Sequence, residues 1–223
     1  MQLTLYQLTF HENLFYATRE VGRLYETGRC LHNYALTYAL GLASAPYFQA
    51  QQIPAYAEEL GVLNSQGIYV TPARGVKLNY QLVTFKFADN AYRVKMQPSS
   101  RNVPSYGRAK EAAVGSAFEL AVIHPQAFIA PRWIRMGLWR SKALLELLGS
   151  AELKPASGSL HVASLPLNPL DVEGEFKLYD LISMPPSSLV EHAQLETDWL
   201  MAEVANRTVY LPARMKFNFH QEK

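Results

Sequence analysis

Over residues 208–219 the chain alternates Val209, Leu211, Ala213, Met215, Phe217 and Phe219 with Thr208, Tyr210, Arg214, Lys216 and Asn218. A two-residue apolar period buries one face only when the backbone is extended. The chain therefore closes on a strand with one buried and one basic face. It opens in similar fashion: residues 3–10 are rich in aliphatic, aromatic and β-branched side chains and stop at His11, Glu12 and Asn13. Residues 68–71, 80–87, 117–124 and 158–165 also read as strands, as does the stretch carrying Trp133 and Arg135 on one face. Within 80–87, Gln81, Val83, Phe85 and Phe87 oppose Tyr80, Leu82, Thr84 and Lys86.

Helical spacing is rarer. Leu31, Ala35, Tyr38 and Leu42 share one face of a helix ended near Gly41 and before Pro46, and a short helix is expected around 55–60. Another is expected over 141–149, ended by Gly149. The clearest pattern lies over 187–205, where Ser188 and Glu191 make a capping box and Leu189, His192, Leu195, Trp199 and Val204 fall near one face. Long strands with few helices define an α+β chain. A ferredoxin-like βαββαβ core fits if 80–87, 117–124 and 158–165 are its second, third and fourth strands. Residues 1–165 are then the core domain, with a basic insertion near 89–115. Residues 166–223 are a β-rich C-terminal extension of hairpin, helix and strand packed on the same core.

Charge is segregated. Residues 67–142 hold twelve Lys or Arg against Asp89, Glu111 and Glu119, while the rest of the chain holds nine against sixteen carboxylates. A concentrated positive field suits a phosphate backbone, because neutralising it releases counterions. The competing account is that the cations face different directions and only solvate the surface. No apolar run approaches a membrane span and no leader pattern opens the chain, so a cytoplasmic location is expected. Cys30, the single cysteine, has no Cys or His partner at ligand spacing and is expected as a small buried hydrophobe. No cofactor is expected.

Motifs for catalysis are missing: there is no P-loop, GxGxxG after a strand, HExxH or GxSxG. Metal-independent cleavage of RNA would need a group such as His11, His32 or His124 beside the scissile phosphate, and two-metal cleavage would need clustered carboxylates that the basic region lacks.

The opening LTLYQLTFHENLFYATREVGRLYETGRCLHNYALTYALGL and the IYVTPARG stretch resemble the Cas five family in its type I-D form, a small subunit of the CRISPR surveillance complex (Cascade). That family belongs to the RAMP superfamily of ferredoxin-like RNA-binding proteins. The resemblance implies a non-catalytic subunit that binds the five-prime handle of CRISPR RNA (crRNA), caps one end of the backbone filament, contacts the backbone and large subunits, and helps engage target DNA near the protospacer-adjacent motif (PAM). The insertion near 89–115 resembles the family's thumb. The glycine-rich loop found near the C-terminus of many RAMP proteins is missing, since the last sixty residues contain only Gly174.

In such a subunit Arg74, Lys77, Arg93, Lys95, Arg101, Arg108 and Lys110 would hold phosphates, and Tyr92, Tyr106 or Trp133, with Arg135 beside it, would meet splayed bases. Arg19, Arg23 and Arg29, leading into the first helix, would add a second contact. The alternative, from another class, is a metal-independent endoribonuclease that processes CRISPR repeat RNA.

Overall fold

A computed structural model describes residues 1–45, 54–86, 94–95, 103–104, 106–126 and 128–219, with 94–95 and 103–104 described as backbone alone. In chain order the strands begin with β1 (Gln2–Phe10), β2 (Arg19–Val21), β3 (Leu24–Glu26) and β4 (Cys30–Leu31). Helices α1 (Asn33–Ala39) and α2 (Tyr56–Gln66) follow, then β5 (Tyr69–Val70), β6 (Ala73–Lys77) and β7 (Tyr80–Lys86). Next come β8 (Val94–Lys95), β9 (Val103–Pro104), β10 (Tyr106–Ala112), β11 (Ala117–His124), β12 (Trp133–Met136) and β13 (Ser141–Glu152). The chain ends with β14 (Lys154–Pro155), β15 (Leu160–Val162), a 3-10 turn at Pro169–Asp171, β16 (Glu175–Ile182), β17 (Leu189–Glu196), β18 (Trp199–Val204) and β19 (Arg207–Pro212).

The fold is mostly β, with two α-helices among the described residues, and this overturns the expected α+β ferredoxin-like βαββαβ core. The largest sheet runs β12-β13-β1-β11-β6-β4, with β5 also on β11. The strands expected as second and fourth of the core are elsewhere: β7 joins a sheet ordered β2-β3-β10-β7, and β15 a sheet ordered β15-β17-β16. Both helices expected after residue 140, the short one over 141–149 and the one over 187–205, are strands.

Over Ser141–Glu152 good helix formers are overridden by position: β13 lies between β1 and β12, and Ser141, Ala143 and Leu145 alternate as buried residues. Helical spacing over 187–205 comes from a bulge and a turn. In β17, Ala193 and Leu195 are buried in alternation, while His192 takes φ 50° where the register against β16 slips. The extra residue converts a spacing of two into three, and the turn before Trp199 adds the next helix-like step.

β1 is the centre of the main core, with Leu3, Leu5, Leu8 and Phe10 fully buried between β11 and β13. The same cluster draws on Leu153, Leu165, Ala202, Val204, Val209, Leu211 and Phe217, so the C-terminal segment shares it. The closing strand is shorter than its alternation suggests: β19 stops at Pro212, and Phe217 is instead clasped by Asn64, which accepts from its N–H at 2.9 Å and donates to its carbonyl at 2.8 Å.

Gly137 turns β12 toward β13 at φ 75°, and a Cβ there would lie 2.6 Å from the Phe15 carbonyl oxygen. Gly137→Ala combines left-handed backbone strain with a clash against backbone, so a loss of about 2 kcal/mol is expected. Urea unfolding measures it, and an unchanged midpoint would refute the assignment.

Candidate nucleic-acid interface

Part of the predicted basic insertion is regular structure. β7 and β10 form an antiparallel ribbon in register from Tyr80↔Ala112 to Lys86↔Tyr106, and beyond it β8 pairs with β9. Across β10 lies β3, parallel to it, and then β2. Paired residues share a face. Tyr106, Arg108 and Lys110 therefore stand beside Lys86, Thr84, Leu82 and Tyr80 on one side, and beside Leu24, Glu26, Val21 and Arg19 on the other. Gly107, Ala109 and Glu111 on the reverse face are buried. Gly107 leaves room for the Phe85 ring opposite, whose Cζ would lie 2.6 Å from an added Cβ.

The outer face carries Arg19, Lys86, Arg108 and Lys110, with Arg23 in the β2–β3 turn, against one carboxylate, Glu26. Arg19 Nε donates to Glu26 at 2.8 Å and Lys110 Nζ lies 3.8 Å from it, and the Arg19 guanidinium holds the Glu26 carboxyl below its usual range. Lys110 also sits 4.4 Å from the centre of the Tyr80 ring. Arg23, Lys86 and Arg108 have no ion pair among the described residues. Val21, Arg23, Leu24, Thr84, Tyr106 and Arg108 line an open groove of about 500 Å³. An exposed aromatic ring that shares a groove with two arginines can take a base against the ring and phosphates on the arginines.

The other candidates are dispersed. Arg29 is bound to Glu191 at 2.7 Å. Arg74 donates to buried Glu119 at 3.1 Å, and Arg207, from the start of β19, reaches the same carboxylate. Arg74 is thus held in an ion cluster joining β6, β11 and β19. Lys77 is exposed at the end of β6. Trp133 and Arg135 do share an exposed face of β12, but Lys142 Nζ already lies 4.1 Å from the centre of the Trp133 ring, and Arg135 contacts Glu12 at 3.6 Å. Tyr92, Arg93 and Arg101 lie outside the described residues, as does the Lys95 side chain. Lys86 was missing from the predicted set although the alternation of residues 80–87 placed it beside Tyr80. What the sequence lacked was the parallel neighbour β3, which brings Arg23 and Arg19 to the same surface.

The three candidate histidines are apart. His124 is buried, with Nε2 2.8 Å from Thr4 Oγ1. His32 caps α1, accepting from Tyr34 N–H at 3.2 Å through Nδ1, and its Nε2–H donates to Ser187 Oγ at 2.9 Å. Burial lowers it to about 4, so it is neutral at ordinary pH. His11 is exposed, edge-on to Trp133 at 5.1 Å. Cys30 is buried and donates to Glu191 at 3.2 Å, and burial pushes its thiol far up. Among the described residues no three His, Cys, Asp or Glu groups are placed to hold a metal, and no helix is long and apolar enough to cross a membrane.

A β-rich scaffold that presents a cationic, aromatic-bearing sheet face defines the class. The chain belongs to the family described as type I-D CRISPR-associated protein Cas5/Csc1, whose sequence model matches residues 1–220. It is therefore a subunit of a type I-D Cascade assembly. No curated protein matches it.

Proposed function

We propose that this chain is a non-catalytic RNA-binding subunit that grips the five-prime handle of crRNA through the outer face of the β2-β3-β10-β7 sheet and caps the backbone filament. The observation that carries the reading is the convergence of Arg23, Arg108 and Tyr106 on one open groove, with Lys86 paired beside Tyr106 and no ion pair on these cations among the described residues. Phosphate contacts would set the position of the RNA and stacking on Tyr106 would favour an unpaired nucleotide. The backbone and large subunits are its protein partners in this reading, and with the large subunit it helps engage target DNA near the PAM.

Labelled repeat RNA mixed with the purified chain is expected to bind and remain intact. Its affinity is expected to fall with salt at a log–log slope of about −2 to −3, as single-stranded RNA neutralised by three or four cations requires. A salt-independent isotherm would sink the reading, and one defined cut made without metal would replace it with the endoribonuclease.

A further inference from the structure

The sheet ordered β15-β17-β16 ends at β16, with no strand on its outer edge among the described residues. Such an edge presents unpaired N–H and C=O groups, and proteins blunt it with charge, proline or a covering element because it accepts any extended chain. These eight residues contain no proline, and Leu178, Tyr179 and Leu181 stand 68 %, 47 % and 64 % exposed. Lys177, the strand's one cation, is held by Glu175 at 2.8 Å and Glu196 at 3.2 Å, so its charge is cancelled within the sheet. Register shifts flank Leu178 and bend the edge locally, while Ile182, Leu181 and Asp180 stay in continuous register on β17. Val162 and Leu178 both pair with Gln194, so they share an open face, which Leu160 extends.

The sheet itself is acidic: β15, β16 and β17 hold Glu175, Asp180, Glu191 and Glu196 against Lys177, with His192 2.8 Å from Asp180 and Arg29 2.7 Å from Glu191. A second copy meeting this edge by twofold symmetry would bring together two strands that each carry Glu175 and Asp180 against one Lys177, and this net like charge disfavours the pair. A basic partner meets no such penalty.

We propose that β16 is the docking edge for an extended aliphatic segment flanked by Lys or Arg, supplied by another subunit of the same type I-D assembly and added as a further strand. The backbone edge provides the ladder, Leu178 and Leu181 receive the aliphatic side chains, and Glu175 and Asp180 face the basic flanks. Family membership supports the existence of such subunits, and the RNA reading is not used, so either can fail alone.

Hydrogen exchange on the chain alone and in the assembled complex tests this directly. The β16 amides are expected to slow by about ten-fold or more on assembly, and unchanged exchange overturns the proposal. Leu178→Arg combined with Leu181→Arg, both at exposed positions, is expected to reduce recovery of the chain with the other subunits by about ten-fold or more. Its melting temperature and affinity for repeat RNA should stay at the wild-type values. Full recovery of that variant overturns the proposal. So does a concentration-dependent dimer of the wild-type chain that the double substitution abolishes, because the edge would then belong to a second copy.

Discussion

At pH 5, replacing Asp171 by Ala is expected to lower the unfolding free energy by about 4 kcal/mol, since each buried donor left without a partner costs about 1–3 kcal/mol. Asp171 is 2 % exposed and accepts from Asn33 Nδ2 at 2.7 Å, Tyr69 O–H at 2.9 Å and Asn218 N–H at 2.9 Å. These donors come from α1, β5 and the closing segment, so a single carboxyl ties three distant parts of the chain together. Burial raises the carboxyl from 3.8 to about 6, against the opposing pull of its donors. The folded protein then keeps a proton that the unfolded chain has lost. The stability this adds is complete below pH 3.8 and is lost as the pH rises through about 6. The change amounts to about 3 kcal/mol. Asp171→Asn removes the titration, so the wild-type advantage over that variant should shrink between pH 4 and pH 7. Urea unfolding across that range measures it, and an advantage that stays level or grows contradicts the assignment.

Charge reversal of Arg23 and Arg108 together is expected to weaken binding of repeat RNA by about 100-fold, as two phosphate contacts are replaced by two repulsions. Both side chains are exposed and free of ion pairs among the described residues, so the melting temperature should hold. The contrast is Arg74→Glu. That change sets a carboxylate against Glu119, which is buried, and is expected to cost stability before it affects RNA. Fluorescence anisotropy with the handle RNA, beside a thermal melt, separates the two. An Arg23→Glu/Arg108→Glu protein that binds like the wild type would remove the groove from the account.

Much of the strand content was legible because it rests on local alternation. Residues 3–10, 80–86 and 117–124 form strands as read, and His11–Asn13 ends the first strand. A helix after Leu31 was legible too, but its face was not: α1 buries Asn33, Tyr34, Leu36 and Thr37, while Ala35 is exposed and Leu31 lies in β4. The segments misread as helices, Ser141–Glu152 and 187–205, are those where local preference or spacing conflicts with pairing partners far along the chain. The basic middle of the sequence held only part of the candidate site. Arg108 and Lys110 share a face as their spacing of two demands, but Arg74 and Arg135 carry the same charge and are spent on Glu119 and Glu12.

The sequence by itself determined where several of the strands lie, that its cations gather in the middle third, and to which family it bears resemblance; its α+β reading did not hold. Alternation and charge are properties of neighbours along the chain. Only the tertiary structure decided which sheet each strand joins and which cations stay free for a polyanion. Those outcomes depend on long-range contacts: the parallel approach of β3 to β10 brings Arg23 beside Arg108, and the β6–β11 register sets Arg74 against Glu119, a carboxylate that β19 then shares through Arg207.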